Sequence, residues 1–283
     1  ISEPELEGLY LWLAGSHDLG KVLKKFQRQL LARGGLEHLV NAVDDAGLPT
    51  ELSVDEANFS KLPHSIVSGE ILALWLEEQG VRRPNANAVA GVVNAHHGIA
   101  TGPNPAVRNL MEDYPAEWKA VHRELVEAME DLCGVEGGIG KLVASMPKMS
   151  ASVAQALAGL VVMADWTASN EKAFTLRVQG SQLERTAAAA EFLDLTSPWA
   201  PGAAGWADID EHFRSSFNWP AEFKARRVQQ AMVEAVQDLD EPALVVLEAE
   251  TGVGKTEAAL TAAEILAARN GAQGVFFAAP TMA

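Results

Sequence analysis

Residues 63–78 read PHSIVSGEILALWLEE, and this stretch decides the fold of the N-terminal part of the chain. Apolar residues recur in it at helical spacing, at Ile66, Val67, Ile71, Leu74 and Trp75. That spacing is typical of a helix that buries one face in a core. Gly80 follows and predicts the end of the helix, because glycine readily takes the left-handed conformation found there. His64 then stands in the first turn of a core helix.

Helical spacing continues on both sides of this helix. We expect helix within residues 9–31 and at about 88–97, 115–132 and 150–170, with an acidic insertion over residues 32–60. No alternation of apolar and polar residues competes over residues 1–195. The sequence therefore predicts an all-α domain there.

The pattern changes after residue 195. Residues 196–220 contain prolines and glycines among aromatic residues, and we expect them to be a linker that packs against another part of the protein. Beyond them we expect a helix at 223–236, a strand at 243–247, a glycine loop, a helix at 256–269 and a strand at 274–279. Strand, loop, helix and strand in this order begin a parallel α/β sheet.

Composition limits the kind of protein this can be. A chain of 283 residues that is 48% hydrophobic can bury a sizeable core. Its longest apolar stretches stop short of the roughly 20 residues of a membrane span, so we expect a cytosolic, cytoplasmic protein without a membrane partner. The single cysteine, Cys133, cannot form an internal disulfide and is expected to be a small apolar residue.

The net charge of −16 argues against a nucleic-acid enzyme. Nonspecific DNA binding depends on basic patches that displace counterions from the phosphates. The net charge of a whole chain does not give the charge of a local groove, however. Bound divalent cations also add positive charge where the phosphates of a nucleic acid would lie. A nucleic-acid substrate is therefore still possible, and we expect most of the DNA contacts to be made by other domains.

Residues 249–256, AETGVGKT, fit the Walker A pattern with alanine at the first glycine position. Glycines let the backbone N–H groups of such a loop face an anion, while Lys255 can reach the β and γ phosphates of ATP and Thr256 can hold Mg²⁺. The expected nucleotide contacts in the loop are Thr251, Gly252, Gly254, Lys255 and Thr256. Turnover needs further elements that this sequence lacks, so we expect weak ATP binding at best.

Histidines and aspartates recur in an order that supplies the ligands of a two-metal site, namely His17, Asp18, His64, His96, His97 and Asp165. Imidazole and carboxylate together suit transition metals such as Mn²⁺, Fe²⁺, Co²⁺ or Ni²⁺. Asp165 interrupts an apolar helix, where an unpaired buried carboxylate would cost several kcal/mol and a metal would compensate it. Two metals about 3.5–4 Å apart polarise a phosphodiester and activate water, so the expected reaction is hydrolysis of a phosphate ester.

Each of these residues alone also has a structural explanation. His64 can be a helix N-terminal residue, His96 and His97 can be cations at a helix C-terminus, and His17 can form a local ion pair with Asp18. Their order, their spacing and the setting of the last aspartate together favour a metal site. The remaining histidines lack such a context and are interpreted as surface residues, namely His38, His122 and His212.

Four strings carry a resemblance to a known family: HDLGK at 17–21, PH at 63–64, NAHHG at 94–98 and ADWTASN at 164–170. Followed by ETGVGKTE at 250–257, they resemble the HD nuclease domain of type I CRISPR-associated nuclease-helicases. The last HD string and the helicase start are the most specific parts, since many phosphohydrolases share the HD dipeptide. The resemblance implies a mainly α HD-domain helical bundle over 1–195, a linker at 196–220 and, over 221–283, the beginning of a parallel α/β RecA-like helicase lobe truncated after its Walker A loop.

The resemblance also implies a function. It implies a metal-dependent endonuclease that cleaves single-stranded DNA in CRISPR interference, is recruited by the Cascade surveillance complex and is coupled to an ATP-dependent DNA helicase. By motif, the metal ligands are His17, Asp18, His64, His96, His97 and Asp165, and the catalytic residues are Asp18 and Lys21. Gln229 matches the adenine-reading glutamine, but Arg227 stands where that motif usually has proline, so Gln230 stays an alternative. The family has one more histidine ligand upstream of the HD pair, and no histidine precedes His17 here, so we expect one metal position to be incompletely ligated.

Two other interpretations stay open. An HD phosphohydrolase that acts on a nucleotide or signalling molecule would use the same ligands, with the ATP loop as a regulatory module. Such an enzyme needs a narrow, closed pocket, whereas a nuclease needs an open groove with aromatic or basic walls. The third interpretation is an ATP-gated scaffold in which the HD residues are structural, and metal content separates it from both enzymes.

Overall fold

The computed structural model describes residues 1–58, 62–98, 102–175, 180–193, 199–201 and 208–278. The chain divides into two compact units, Ile1–Gly180 and Ser181–Ala283. Within the described ranges both units contain helices and no β-strand. The expected linker at 196–220 lies only partly within these ranges, and its described C-terminal part contains a helix.

The first unit is a bundle of helices, in agreement with the all-α prediction. They are α1 (Glu3–Ser16), α2 (Lys24–Gln27), α3 (Glu37–Asp45), α4 (Val54–Asn58), α5 (His64–Glu78), α6 (Arg83–Asn94), α7 (Pro105–Glu112), α8 (Ala116–Cys133), α9 (Gly138–Ser145) and α10 (Ala151–Ala168). Short 3₁₀ turns occupy Leu19–Lys21, Arg28–Arg33 and Ala95–His97. Helices α5 and α6 lie side by side, and α1, α7, α8 and α10 pack against this pair or against each other.

Large apolar side chains fill the space between these helices. Trp12 of α1 is fully buried, and its ring centroid lies 5.6 Å from that of Trp75 on α5. Leu72 of α5 and Val89 and Val93 of α6 are buried in the same cluster. Burying a side chain of this size contributes about 1.5–3 kcal/mol. The core therefore holds α1, α5 and α6 in place, and these helices carry most of the candidate site.

The predicted helix within residues 9–31 is wrong in its second half, because α1 ends at Ser16 and short 3₁₀ and α turns follow. The cause is a contact between segments distant in sequence. The backbone N–H of Gly20 donates to Ser68 Oγ at 2.8 Å, and Ser68 Oγ donates to the His64 carbonyl at 2.9 Å. A Cβ atom on Gly20 would overlap that carbonyl. The chain therefore leaves the helical path near Gly20 and packs against the start of α5.

The described part of the acidic insertion, residues 32–58, contains helices α3 and α4 and is anchored on the bundle. Glu56 of α4 is buried, and its Oε2 lies 3.6 Å from Nζ of the buried Lys24. The Trp118 indole N–H donates to the Pro49 carbonyl at 3.0 Å. The segment therefore packs as part of the first unit.

Two of the histidines interpreted as surface residues, His122 and His212, are buried, so that interpretation is wrong for them. His122 lies on the inner face of α8, donates from Nε2 to the Val22 carbonyl at 2.6 Å and stacks on Tyr114. His212 lies in the second unit with its Nε2 3.8 Å from Glu264 Oε2. Amphipathic spacing alone did not reveal which face each histidine occupies. Only His38 is exposed as expected.

Replacing His122 by glutamine is expected to reduce the loss of stability in mild acid. Burial lowers the pKa of His122, against a smaller opposing contribution from the Val22 carbonyl. The folded chain therefore binds this proton less readily than the unfolded chain, and stability falls as the pH drops below the ordinary histidine pKa of about 6.5. Urea unfolding without metal at pH 7.5 and 5.5 measures the effect. The exposed His38→Gln variant should show the same pH difference as the unaltered chain, and an equal difference for His122→Gln would contradict the prediction.

Helix α10 is long and apolar enough to cross a membrane by length and composition alone. A single helix of this kind is weak support for a membrane span. Leu157 and Val161 face the core, and the Tyr10 hydroxyl of α1 donates to the Leu160 carbonyl at 3.4 Å. Packing against α1 and α6 brings Asp165, near the C-terminal end of α10, to the candidate site.

The second unit contains α11 (Gln182–Leu193), α12 (Ile209–Phe217), α13 (Arg227–Val236) and α14 (Lys255–Asn270). Helix α14 lies within one residue of its predicted bounds, whereas α13 begins at Arg227, four residues later than predicted, because the Arg226 N–H is capped by the Gln229 side chain. The two helices share a small core that includes Met232, Val236 and Ile265. The strands predicted at 243–247 and 274–279 do not form in the described residues, which end at 278. A strand needs a hydrogen-bonded neighbour, and neither segment has one there. Leu244 and Phe276 are accordingly 92% exposed, and the sheet of a RecA-like lobe is not seen.

Candidate metal centre

Four parts of the first unit supply the predicted metal ligands. His17 and Asp18 follow the last residue of α1, and His64 begins α5. His96 and His97 form the turn after α6, and this turn ends at Gly98, whose φ of +85° favours glycine. Asp165 lies in the last turn of α10. All of the histidine positions are helix ends or turns, where a side chain can leave the packed face of the bundle.

The six side chains converge around Asp18. Its Oδ1 lies 3.3 Å from His64 Nε2 and 3.9 Å from His96 Nε2, while its Oδ2 lies 3.4 Å from His17 Nε2. His17 Nε2 is also 3.5 Å from Asp165 Oδ1. The Nε2 atoms of His64 and His97 are 2.9 Å apart. The structure thus brings the predicted residues into one cluster, while their role as ligands stays a prediction.

Backbone carbonyls orient two of the imidazole rings. His17 Nδ1 donates to the Ala14 carbonyl at 2.6 Å, and His96 Nδ1 donates to the Val93 carbonyl at 2.7 Å. With the proton on Nδ1, the Nε2 lone pair of each ring faces the cluster. A hydrogen bond of this kind to the second ring nitrogen is a usual feature of metal-binding histidines. Sequence reasoning missed these carbonyls, although each lies three residues before its histidine.

The donor set fits divalent cations. Ligand atoms of His64, His96 and His97 lie within 4.8 Å of one another, and so do those of His17, Asp18 and His96. The two groups share His96, so they describe neighbouring positions. His17 Nε2 and Asp18 Oδ1 are buried without a hydrogen-bond partner, which is costly for polar atoms unless something charged binds them. Asp165 lies beside the second group and can complete it.

Electrostatic interactions keep the cluster ready to bind a cation. Burial raises the pKa of Asp18, but the nearby His17 and His64 rings and the hydrogen bond from Lys21 outweigh burial and hold its pKa well below the usual range. Burial is the main reason that the pKa of His96 is lowered. Burial also lowers the pKa of His17, but Asp18, the Ala14 carbonyl and Asp165 more than reverse this and give a net rise. Asp18 therefore stays ionised and can supply a carboxylate oxygen to a cation.

The predicted catalytic residue Lys21 lies at the edge of the cluster. Its ammonium donates to Asp18 Oδ2 at 2.5 Å, and its side chain is 42% exposed. Without substrate this lysine therefore neutralises part of the Asp18 charge from the solvent side. The position is consistent with a phosphate contact, but that role stays a prediction.

The Walker A loop of the second unit lies beside its own cavity of about 510 Å³. Lys255 Nζ donates to the carbonyls of Ala249 and Glu250 at 2.6 and 2.7 Å. Gln229 Nε2 lies 3.4 Å from the carbonyl of Gly254, whose φ is +88°. The cavity is lined by the five loop residues predicted to bind nucleotide, by Gln229 and by the aromatic pair Trp219 and Phe223. The residues proposed for ATP are thus gathered in one place, and their role stays a prediction.

Gln229 and not its neighbour Gln230 lines this cavity. Gln229 is 1% exposed, and its Oε1 accepts from the Arg226 N–H at 2.8 Å. Gln230 donates to the Ala225 carbonyl at 2.9 Å. Of the two glutamines, Gln229 is therefore the one placed to contact a ligand in this cavity, and its role toward adenine stays a prediction.

The family model described as "Cas3, HD domain" matches residues 1–174, which is more than half of the chain. The chain belongs to the Cas3 HD family. The match includes all six residues of the Asp18 cluster, so the resemblance inferred from the four HD strings is confirmed.

Two curated relatives agree with this Cas3 assignment. The CRISPR-associated nuclease/helicase Cas3 of Streptococcus thermophilus is 27% identical over 294 residues, which cover 96% of this chain and 30% of the relative. The CRISPR-associated endonuclease/helicase Cas3 of Thermus thermophilus is 31% identical over 291 residues, which cover 98% of this chain and 29% of the relative. The chain therefore spans about 30% of the length of the Cas3 proteins it matches.

Solved structures also agree with the Cas3 fold. The crystal structure of a CRISPR-associated protein matches 96% of this chain and 29% of that chain with a TM-score of 0.58 at 28% identity. T. fusca Cas3-AMPPNP matches 97% of this chain and 29% of that chain with a TM-score of 0.53 at 22% identity, and supports the fold alone. Both neighbours are much longer proteins.

Proposed function

We propose that the first unit is a metal-dependent endonuclease that cleaves single-stranded DNA in CRISPR interference. The observation that carries this proposal is the cluster around Asp18, in which two buried polar atoms, His17 Nε2 and Asp18 Oδ1, face their neighbours without a hydrogen-bond partner. The names of the relatives, a CRISPR-associated nuclease/helicase and a CRISPR-associated endonuclease/helicase, support a nuclease, and the single-stranded DNA substrate is part of the proposal.

The proposed cofactors are two divalent transition metals, from among manganese, iron, cobalt and nickel, because imidazole predominates among the donors. His64, His96 and His97 would hold one position, and His17, Asp18 and Asp165 the other, with His96 near both. When bound, such ions supply Lewis acidity toward a phosphodiester and a nucleophilic water at neutral pH.

The side chains of this chain contribute orientation and charge. The two Nδ1 bonds hold His17 and His96 with Nε2 toward the cluster, so little reorganisation is needed on binding. Asp18 supplies a carboxylate that stays ionised across the physiological pH range. Lys21 can exchange its bond to Asp18 for a substrate phosphate, because its side chain is partly exposed and a metal would take over the carboxylate. The local site is therefore attractive to an anion despite the net charge of the chain.

Cleavage of circular single-stranded DNA tests the proposal directly. A circle has no ends, so conversion to linear and then shorter products reports endonuclease activity. We expect cleavage with manganese, iron, cobalt or nickel and none with excess EDTA. Parallel incubation with nucleoside triphosphates and cyclic nucleotides tests the HD phosphohydrolase alternative. Hydrolysis of these small molecules without any DNA cleavage would replace our proposal by that alternative.

We further propose that residues 221–283 begin a RecA-like helicase lobe that binds ATP and Mg²⁺ and drives DNA toward the nuclease in the full-length protein. The support is the Walker A loop, its cavity and the position of Gln229. By the resemblance, the partner that recruits the protein is the Cascade complex, and the site of action is the cytoplasm.

Replacing Lys255 by alanine is expected to weaken ATP binding at least tenfold while DNA nicking by this chain is unchanged. The lysine would lose its contact with the β and γ phosphates, whereas the metal centre lies in another compact unit. Calorimetric titration with ATP and the circular-DNA assay measure the two properties. The exposed Lys224→Ala variant is the control and should match the unaltered chain. A loss of nicking in the Lys255 variant would mean that the loop regulates the nuclease.

A further inference from the structure

A second cavity, of about 340 Å³, opens beside the candidate metal centre. Its lining includes Gly20 and Pro63, which are neighbours in sequence of Lys21 and His64. Phe26 of α2 forms another part of the wall, and its ring centroid lies 5.8 Å from that of His64 at an interplanar angle of 73°. The Phe26 ring therefore borders both the cavity and His64 of the candidate metal centre. Its volume is at the lower end of the range of about 300–1,000 Å³ for small-ligand sites.

The walls of this cavity suit a flat, uncharged group with a polar edge. Leu23, Phe26, Leu62 and Pro63 provide apolar surface. The described lining contains no carboxylate, in a chain whose net charge is −16. Its one cation, Lys25, donates to the Glu56 carbonyl at 3.2 Å and is therefore held by the protein. The cavity is thus chemically unlike the charged centre beside it.

Gln29 supplies the polar part of the wall. It is exposed and lies in the turn Arg28–Arg33. A glutamine amide offers one acceptor and two donor positions, which match the mixed donors and acceptors on the edge of a nucleobase. Proteins that bind single strands commonly place a base against an aromatic side chain and bond its exposed edge.

We propose that this cavity holds one base of the substrate, from the nucleotide next to the phosphate at the metal centre. Phe26 contacts the base, and Gln29 bonds its edge. This inference rests on the proposed nuclease function and adds a source of substrate selection within the same domain. A base in a duplex is paired and stacked, so it must be unstacked at a cost of a few kcal/mol before it can enter such a cavity. A single strand presents its base without that cost, and the cavity therefore favours single-stranded substrates.

The test measures binding without cleavage. A fluorescently labelled single-stranded oligonucleotide is titrated with protein in EDTA, and then a set of the same oligonucleotides with one abasic position each. We expect one abasic position to weaken binding by the unaltered chain about tenfold, the size expected for the loss of one base–aromatic contact. Phe26→Ala should bind the intact oligonucleotide about tenfold more weakly and should no longer respond to that abasic position.

Three further variants separate the proposed contact from general effects. Phe26→Leu keeps apolar packing beside His64 but loses the aromatic ring, so it should retain its thermal midpoint and lose most of the response to the abasic position. Gln29→Ala should reduce differences in affinity among the four bases at that position. Gln155→Ala changes an exposed glutamine of α10 outside the cavity and should behave like the unaltered chain.

The outcomes are distinct from those of the nuclease test. Any one of three results would show that the cavity is not a base site. The unaltered chain binds all abasic oligonucleotides equally, it binds no oligonucleotide in EDTA, or Phe26→Ala behaves like the unaltered chain. These results are read in EDTA and do not depend on metal or cleavage. Failure to cut circular DNA with any metal would instead contradict the proposed function, while the binding pattern could still identify the base site.

Discussion

Replacing Asp18 by asparagine is expected to lower metal-dependent DNA cleavage by more than about 100-fold. Losing a residue that merely orients a metal ligand commonly costs about 10–100-fold, and a ligand itself should cost more. Asp18 is the carboxylate nearest to three histidine rings, with nitrogen to oxygen distances of 3.3, 3.4 and 3.9 Å. Asparagine keeps the shape of the side chain but removes the negative charge that would offset bound cations.

The measurements for this variant are metal content, cleavage of circular single-stranded DNA and thermal unfolding. We expect reduced metal content and lost cleavage with the helical fold retained, because Asp18 is partly exposed and outside the apolar core. Asp131→Asn, at an exposed position of α8, is the matched control and should cleave normally. Cleavage by Asp18→Asn at the rate of the unaltered chain would remove this cluster from consideration as the nuclease centre.

Replacing Gly20 by alanine is expected to disrupt the metal centre without touching any ligand. The new Cβ would overlap the backbone carbonyl of His64, and a backbone atom at the start of a packed helix cannot move aside as a flexible side chain can. Overpacking of this kind typically costs about 1–3 kcal/mol. Relief of the overlap would separate the turn Leu19–Lys21 from α5, and with it Asp18 from His64.

Urea unfolding and metal titration test the glycine prediction together. Gly20→Ala should lower the free energy of unfolding by about 3 kcal/mol and weaken metal binding by at least tenfold. Gly91→Ala is the control, because no described atom beyond its chain neighbours and its own helix backbone lies within 4 Å of a Cβ built there, and the residue is inside helix α6. Alanine is the better helix former, so this control should equal or exceed the unaltered chain in stability. Equal effects at the two positions would mean that the close contact at Gly20 is unimportant.

The elements that sequence reasoning predicted well are those decided by local pattern. Helix α5 was expected to end near residue 78 and ends at Glu78, because its apolar spacing and the following glycine act within one segment. Helix α10 was placed within two residues of its observed bounds for the same reason. The order of histidines and aspartates along the chain also identified the six residues that the structure brings together around Asp18.

The elements that it predicted poorly depend on distant partners. The turn at Leu19–Lys21 exists because Gly20 meets the start of α5, and apolar spacing within residues 9–31 contains no sign of that contact. The burial of His122 depends on which face of α8 meets the core and on an acceptor, the Val22 carbonyl, far away in sequence. Residues 243–247 have the composition of a buried strand, but composition does not supply the neighbouring strand that pairing requires.

The two carbonyls that orient His17 and His96 belong to residues three positions earlier, Ala14 and Val93, at the ends of α1 and α6. A main-chain oxygen is present whatever side chain stands at those positions. The identities of residues 14 and 93 are therefore free to drift among family members as far as ring orientation is concerned. The spacing of three residues between each carbonyl and its histidine is fixed, however, because the hydrogen bond requires it. Ring orientation therefore places no limit on the side chains at these two helix ends beyond what packing requires, but it should allow almost no insertions or deletions there.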